Sequence, residues 1–280
     1  MAPPDSVHRF DADTAVKRLA AAGDGHVFEA EMRRGWWIVR GPNGGYVAAV
    51  LLRALTETVG DPGRAPRSLT VHYAAPPAEG AVRIETRVER TGRSLSTLSA
   101  RMTQDGRLLA LALAAFSAPR AALELHHARM PEAAPPERCA PRGVLPGGFA
   151  LPIHQRYEQL WAVGGRPYSG AGEALCGGWI RFAEGPRTPD ALAVAAFTDA
   201  FPPTVMSTLT PGSSLGAMPT VDLTIHFRVS LPLPGLAPEA FLLAAFRARE
   251  AREGFFEEDG EIWTPDGVLV AQSRQLAVLM

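Results

Sequence analysis

The chain contains one short pattern twice: TVHY at positions 70–73 and TIHF at positions 224–227. The dipeptide Asp-Gly is repeated in the same order, at 105–106 and 266–267, and an apolar run follows it each time. The two separations are 154 and 161 positions, so a second copy with about seven additional residues accounts for both matches. We interpret the chain as one structural unit that is present twice.

The first copy is predicted to contain one buried helix followed by antiparallel strands. Residues 46–59 are apolar around most of the helical circumference, which is typical of a helix enclosed by protein, and Asn43 is placed to cap its start. The stretch VRIETRVE at 82–89 alternates apolar and charged residues, as does a strand with one buried face. Two further strands, 95–102 and 108–116, meet at the first Asp-Gly turn.

The second copy is predicted to repeat this order. Its helix is expected over 190–209, with Pro202-Pro203 in a first turn. Its strands are expected at 220–227, 240–251, 254–263 and 268–279. The chain then divides into an N-terminal half at 1–117, a Pro- and Gly-rich linker at 118–189 with one packed strand at 177–182, and a C-terminal half at 190–280.

Composition limits the functional class. The 280 residues carry a net charge of −1, so no overall attraction to nucleic acid or to an anionic membrane is implied. No apolar run approaches the roughly 18 residues needed to span a bilayer, and residues 1–13 lack the hydrophobic core of an export signal, so a soluble, cytoplasmic protein is expected. Cys139 and Cys176 are too few and too far apart for a disulfide scaffold or a zinc site, and no metal is expected.

Five motifs follow one another along the chain: NGGY at 43–46, RSLTVHY at 67–73, GRSLST at 92–97, QDG at 104–106, and DGVLVA at 266–271 leading to Gln275. In this order they resemble the type II acyl-CoA thioesterases. The resemblance implies an α+β, double-hotdog fold, in which two antiparallel sheets, or one continuous sheet, wrap two central helices. It also implies hydrolysis of acyl-CoA thioesters to free acid and CoA without a metal or redox cofactor.

The resemblance assigns catalysis to Asp199, Thr220 and Gln275, all in the second half. A carboxylate can orient and deprotonate a water molecule, and the Thr and Gln side chains can fix its position. Direct attack by Asp199 through an anhydride stays open. The substrate is expected to be a thioester of CoA or of an acyl carrier protein. A homodimer or higher oligomer is expected, because open sheet edges tend to pair.

The first half is expected to lack these polar residues. The repeat offsets place Gly45, Pro66 and Ala114 at the positions equivalent to the three catalytic candidates. The oxyanion is expected to meet a backbone amide at a helix start, and glycine permits close approach of the substrate there. The candidate substrate-binding residues are Asn43, Gly44, Gly45 and Tyr46.

Each assignment has a structural alternative. Asp199 could cap a helix that begins near Pro202, Gln275 could be a solvated edge-strand residue, and Thr220 could be an ordinary strand residue. His72 and His226 occupy equivalent positions in both copies, which favours a structural role. Two other functions stay open: a non-catalytic acyl-thioester binding protein, and a hotdog enoyl-CoA hydratase.

Overall fold

The computed structural model describes residues 7–143 and 150–280 of the chain. The helices are α1 (Arg9–Asp13), α2 (Gly44–Val59) and α3 (Ala191–Phe197), with short 3-10 helices at Arg34–Trp36, Pro136–Arg138, Pro152–Gln155 and Thr204–Ser207. The strands of the first half are β1 (Val16–Ala22), β2 (Gly25–Met32), β3 (Ala65–Tyr73), β4 (Gly80–Thr91), β5 (Leu95–Gln104) and β6 (Arg107–Ser117). The later strands are β7 (Ala140–Pro141), β8 (Tyr157–Gly164), β9 (Leu175–Phe182), β10 (Thr220–Phe227), β11 (Leu242–Arg247), β12 (Ala251–Arg252), β13 (Phe255–Trp263) and β14 (Leu269–Val278).

The strands form one antiparallel sheet that runs through both halves. Its order is β1-β2-β4-β5-β6-β3-β10-β14-β13-β11-β9-β8-β7, with β12 paired to β13. Outward from the centre, β3, β6, β5, β4, β2 and β1 correspond to β10, β14, β13, β11, β9 and β8. Each half therefore wraps antiparallel strands around a buried helix, which confirms the α+β double-hotdog fold in its continuous-sheet form.

The two copies of the repeated pattern lie side by side at the middle of the sheet. β3 and β10 pair with Thr70 opposite Thr224, and the two hydroxyl oxygens are 3.0 Å apart. Val71 lies opposite Leu223 in the same register. An approximate two-fold axis therefore passes between the threonines and exchanges the two halves.

α2 is enclosed by protein, as its apolar sequence predicts. The side chains of residues 46–52, together with Ala54 and Leu55, are at most 3% exposed. Asn43 accepts a hydrogen bond from the Tyr46 amide at 3.1 Å, which confirms the predicted cap. Gly60 then ends the helix in the left-handed conformation.

The second helix is shorter than predicted. α3 ends at Phe197 instead of continuing to position 209, so the prediction that Pro202-Pro203 occupies a first helical turn is wrong. The helix begins after Asp190, whose carboxylate accepts a hydrogen bond from the Ala193 amide at 2.9 Å. The prolines have no backbone N–H to donate, and only a 3-10 turn follows them. Over residues 7–143 and 150–280, no helix is both long and apolar enough to cross a bilayer.

The segment predicted as a linker contains more structure than one strand. β9 confirms the strand predicted at 177–182 and begins at Leu175, and β7 and β8 extend the sheet beyond it. Trp179 in β9 is 3% exposed, so this part of the segment packs into the second half. Positions 144–149 of the predicted linker lie outside the described residues. The other predicted strands match observed ones, with ends that differ by at most four residues.

α2 and α3 contact each other at the start of α2. A Cβ atom on Gly45 would lie 2.6 Å from the Ala196 carbonyl oxygen, so a side chain at this position would force the two helices apart. The contact brings the residues that follow α3 to the amino terminus of α2. Asp199 lies in that segment.

Replacing Leu51 of α2 with alanine tests the enclosed helix. Leu51 is fully buried, so Leu51→Ala should leave a cavity and lower the free energy of unfolding by about 2–5 kcal/mol. Leu113 on β6 is 52% exposed, and Leu113→Ala should lower it by no more than about 0.5 kcal/mol. Urea titrations compare the two variants, and equal losses would contradict an enclosed α2.

Candidate active site

Asp199 lies two residues after α3, and its carboxylate contacts the start of α2. Its Oδ2 accepts hydrogen bonds from the Asn43 side-chain amide at 2.8 Å and from the Gly45 backbone amide at 3.1 Å. The Asn43 amide also donates to the Asp199 carbonyl oxygen at 2.6 Å. The carboxylate therefore binds at a helix start of the other half, where free amides and the helix dipole favour negative charge. It does not cap a helix near Pro202.

Burial and hydrogen bonding change the pKa of Asp199 in opposite directions. Desolvation raises the pKa, the surrounding donors lower it, and the result is a pKa of about 6 in place of 3.8. The groups that lower the pKa, in decreasing order of effect, are Gly45, Gly44, Gln275 and Asn43, of which Gly45 and Asn43 donate hydrogen bonds directly to the carboxylate. The carboxyl is thus ionised at neutral pH and still basic enough to accept a proton from water.

Thr220 and Gln275 are joined by a buried hydrogen bond. The Thr220 hydroxyl donates to Gln275 Oε1 at 3.0 Å, and Gln275 Nε2 donates to Glu258 Oε1 at 2.8 Å. Gln275 is 6% exposed, and β14 lies between β10 and β13, so the residue is not on an edge strand. Since Gln275 also lowers the pKa of Asp199, the structure brings the three residues together in one cluster.

A β-bulge lies where Thr220 enters β10. The register between β10 and β14 shifts between Thr220 and Asp222, and the register between β3 and β6 shifts at the equivalent positions, Pro66 and Ser68. A bulge changes the direction of a side chain relative to a regular strand. Both halves keep this irregularity, but the residue that enters the strand is Thr220 in the second half and Pro66, which has no hydroxyl, in the first.

The strand registers show which first-half residues are equivalent to the polar cluster. Ala114 lies opposite Leu69 on β3, as Gln275 lies opposite Leu223 on β10, which confirms the predicted equivalence of Ala114 and Gln275. In the same way, Leu98 lies opposite Ala114 where Glu258 lies opposite Gln275. The first half is apolar at both positions.

The equivalence predicted for Asp199 is wrong. The helix caps Asn43 and Asp190 correspond to each other, and they are 147 positions apart (190 minus 43), not 154. This spacing places Asp199 over Leu52, not over Gly45. Leu52 is fully buried, so this position is also apolar in the first half.

Gly44 leaves room beside the carboxylate of Asp199. A Cβ atom on Gly44 would lie 2.9 Å from Asp199 Oδ2 and 3.3 Å from the Tyr73 hydroxyl oxygen. The Tyr73 hydroxyl in turn donates to the Gly44 carbonyl oxygen at 2.8 Å. The glycine pair thus allows both the approach of Asp199 and the packing of α2 on α3.

Tyr46, the last residue of the NGGY motif, packs into the core. Its ring stacks on Trp36 with the centroids 4.9 Å apart, and its hydroxyl donates to the Asp13 carbonyl oxygen at 2.6 Å. Of the four candidate binding residues, Asn43 and Gly45 contact the carboxylate directly, Gly44 lies beside it, and Tyr46 supports the helix start from behind.

Two residues of the cluster were not found from the sequence, although each left a signal. The alternation of β13 puts Glu258 on the same face as the buried Phe256 and Ile262, so a charged residue at an inward position was visible. Tyr73 is the residue of the repeated pattern that becomes Phe227 in the second copy. Tyr73 differs from Phe227 by its hydroxyl, and this hydroxyl donates to the Gly44 carbonyl oxygen at the start of α2.

The repeated histidines lie away from this cluster. His72 and His226 are exposed on the outer face of the sheet, and His72 borders a groove of about 820 Å³ whose lining includes Thr70, Leu111 and Leu113. Both cysteines are free thiols. Within the described parts of the chain, no group of three or more His, Cys, Asp or Glu side chains is placed to hold a metal ion.

Two family profiles match this chain. The profile of the acyl-CoA thioesterase N-terminal domain matches residues 33–117, and that of the acyl-CoA thioesterase C-terminal domain matches residues 136–279, which is more than half of the chain. The chain belongs to the acyl-CoA thioesterase family. The second profile begins before β7, so it includes the strands that precede α3.

Similar proteins match this family member along most of their length. A hotdog-fold protein of unknown function from Alicyclobacillus acidocaldarius is 31% identical, with a TM-score of 0.84, over 98% of this chain and 99% of that one. A candidate thioesterase II from Thermobifida fusca YX is 26% identical, with a TM-score of 0.81, over 97% of each chain. An uncharacterized protein of Mycobacterium tuberculosis is 27% identical over 283 residues, which is 90% of this chain and 91% of that protein.

Replacing Asp199 with asparagine tests the electrostatic effect of burial. The pKa of about 6 in the folded state lies above 3.8, so the folded protein binds this proton more tightly than the unfolded chain does. Stability should therefore fall as the pH rises from about 4 to about 6, and the loss should be complete at higher pH. Asp199→Asn keeps an oxygen acceptor and removes the charge, so at pH 7 the free energy of unfolding should rise by up to about 3 kcal/mol.

Denaturant titrations at pH 3.5 and pH 7 measure this effect. The variant and the wild type should be similar at pH 3.5, where the carboxyl is mostly protonated in both the folded and the unfolded protein. Asp222→Asn, opposite His72 in the β3–β10 register, is the matched control and should show no such gain. A lower stability of Asp199→Asn at pH 7 would contradict the expected sign.

Proposed function

We propose that this protein hydrolyses acyl thioesters of CoA to a free carboxylic acid and CoA, with a water molecule activated by Asp199. The observation that carries the proposal is the buried Asp199 carboxyl, with a pKa of about 6, beside the hydrogen-bonded pair Thr220 and Gln275. Thioester hydrolysis needs a base, a positioned water molecule and a donor for the developing oxyanion. The cluster supplies a group for each requirement. A thioester of an acyl carrier protein presents the same bond.

The direction of the hydrogen bonds determines how the water is held. Gln275 Nε2 faces Glu258, so the Gln275 oxygen accepts the proton of the Thr220 hydroxyl. A hydroxyl that has donated its hydrogen keeps its lone pairs, and Thr220 therefore accepts one hydrogen of the water. The second hydrogen is directed to Asp199, and the free lone pair of the water attacks the thioester carbonyl carbon.

The Gly45 backbone amide is the proposed donor to the thioester oxygen. It lies at the start of α2, where the helix dipole favours developing negative charge, and it donates to Asp199 Oδ2 at 3.1 Å. When the substrate oxygen takes this N–H group, Asp199 loses the hydrogen bond that most lowers its pKa. The carboxylate then becomes a stronger base. One amide thus couples substrate binding to base activation.

Thiol release from short, medium and long acyl-CoAs tests the proposal. Wild type should turn over at least one substrate, and kcat/KM should rise with pH through about 6 as Asp199 ionises. Asp199→Asn should lower kcat by about a hundredfold or more, because the base is lost. Asp222→Asn, with its side chain on the outer face, should stay near the wild-type rate.

The other outcomes separate the alternatives. If Asp199→Asn hydrolyses acyl-CoA at the wild-type rate, the protein is still a hydrolase but Asp199 is not its base. Binding of acyl-CoA without turnover would favour a non-catalytic binding protein. In a single turnover in ¹⁸O-labelled water, attack by the activated water puts the label into the acid product. Label in the Asp199 carboxyl would instead reveal direct attack through an anhydride that water opens at the Asp199 carbonyl.

We also propose that the protein is a homodimer or a larger homo-oligomer. Strand β1 lies at one end of the sheet, pairs with β2 among the described residues, and is largely exposed. Its unpaired backbone groups can pair with a second chain. Gel filtration should give a mass of at least twice the chain mass of 29.9 kDa, and elution at that mass would contradict the proposal.

A further inference from the structure

Glu258 lies beside the proposed reaction centre and, in the steps above, is neither the base nor a group that contacts the water. It is 3% exposed and lies directly opposite Gln275 in the pairing of β13 with β14. Its Oε1 accepts from Gln275 Nε2 at 2.8 Å, and its Oε2 accepts from the Thr204 backbone amide at 2.7 Å. Because each oxygen is bonded to a different element, the orientation of this carboxyl group is fixed.

We propose that Glu258 is a positioning residue for the hydrolysis, which sets the direction of the hydrogen bonds from Thr220 to Gln275. This role rests on the proposed function. The two ends of a side-chain amide are nearly equal in shape, but one end donates and the other accepts. Packing alone therefore does not select one orientation of Gln275. A carboxylate does, since it accepts from the nitrogen and repels the oxygen.

The reverse orientation of Gln275 would change what Thr220 offers to the water. The Gln275 nitrogen would then donate to the Thr220 hydroxyl, and that hydroxyl would direct its own hydrogen outward. A water molecule held by this hydrogen would be bound through its oxygen lone pair, which is the pair needed for attack on the thioester. Glu258 therefore controls the orientation of the attacking water through Gln275 and Thr220.

The first half of the chain supports this assignment. Leu98, fully buried, occupies the position equivalent to Glu258, and the other three polar residues of the cluster are likewise replaced by apolar ones. Those replacements are Leu52, Pro66 and Ala114. The fold accepts an apolar side chain at this point of the strand, so Glu258 is not required for β13 to form. It differs between the halves together with the residues that we assign to the reaction.

Two buried carboxyls in one cluster affect each other's protonation. Burial raises the pKa of Glu258, the donors of Thr204 and Gln275 lower it, and the charge of Asp199 raises it, so that the pKa is about 7. Burial and the charge of Glu258 both raise the pKa of the Cys176 thiol on β9 well above its ordinary value. This thiol therefore stays neutral. A protonated Glu258 accepts more weakly from Gln275. Activity should therefore depend on both carboxyls.

Glu258→Gln tests the role with almost no change in side-chain size. The new amide oxygen can still accept from Thr204, which leaves its nitrogen facing Gln275, and Gln275 must reverse to accept from it. The hydrogen bonds among Thr204, residue 258, Gln275 and Thr220 are then all made, so the fold should survive while kcat falls by about ten- to a hundredfold and KM changes little. Glu261→Gln, on the opposite face of β13, is the matched control and should keep the wild-type kcat.

The pH profile separates positioning from a purely structural role. In wild type, the loss of kcat/KM toward low pH should involve two groups, with apparent pKa values of about 6 and about 7. The limiting slope of log kcat/KM should then be about two. In Glu258→Gln the slope should be about one, whereas a purely structural loss would lower the curve without changing its slope.

The outcomes distinguish this role from the proposed function. A wild-type slope of one, or a variant with unchanged kcat and slope, overturns the role of Glu258 and leaves hydrolysis through Asp199 intact. If the variant does not fold, the wild-type slope alone decides. A wild type that hydrolyses no acyl-CoA, or does so independently of Asp199, overturns the proposed function and this role with it.

Discussion

The antiparallel pairing of β3 with β10 is the interaction on which the rest of the structure depends. It joins the halves around the contact of Thr70 with Thr224, and the resulting two-fold relation packs the start of α2 against the end of α3. Each half alone would expose an unpaired central strand. The cluster also needs both halves, because Asn43 and Gly45 come from one and Asp199 from the other.

The carboxyl groups at the starts of α2 and α3, which the two-fold axis relates, have different partners. At the start of α2, the Asp199 carboxyl is held by neutral amides, and its pKa stays near neutrality. Near the start of α3, Arg187 pairs with both Asp11 and Asp190, and Arg53 also pairs with Asp11. There, desolvation alone would raise the pKa of Asp11, but the arginines lower it below its ordinary value. One carboxyl thus has a raised pKa, and the other has a lowered pKa within an ion-pair network.

The periodic features of the sequence predicted most of the fold. The repeat, the alternation in β4 and the apolar circumference of α2 depend on local spacing, which a sequence displays directly. The end of α3 was mispredicted because apolar residues continue past Phe197, whereas Pro202 and Pro203 lack the backbone N–H groups that a continuing helix needs. The contact of Asn43 with Asp199 joins positions 156 apart, and no local pattern indicates it.

The candidate site was predicted less completely, and for a different reason. The grouping of Asp199, Thr220 and Gln275 came from a family resemblance, since periodicity says little about which polar residues meet. Glu258 was detectable as a charged residue at an inward strand position, but its partner on the neighbouring strand follows only from the register. The repeat itself could not locate Asp199, because the spacing between the halves is shorter at the helix caps than at the central strands.

The apolar residues of the first half have a consequence for how the duplicated chain divides its tasks. Leu52, Leu98 and Ala114 are almost completely buried, and each stabilises the fold where its counterpart carries a polar group that burial disfavours. In a chain with two identical halves, the free-energy cost of burying these polar groups would occur twice. The polar groups that burial disfavours are therefore confined to one copy, while the equivalent positions of the other copy add to the stability of the fold.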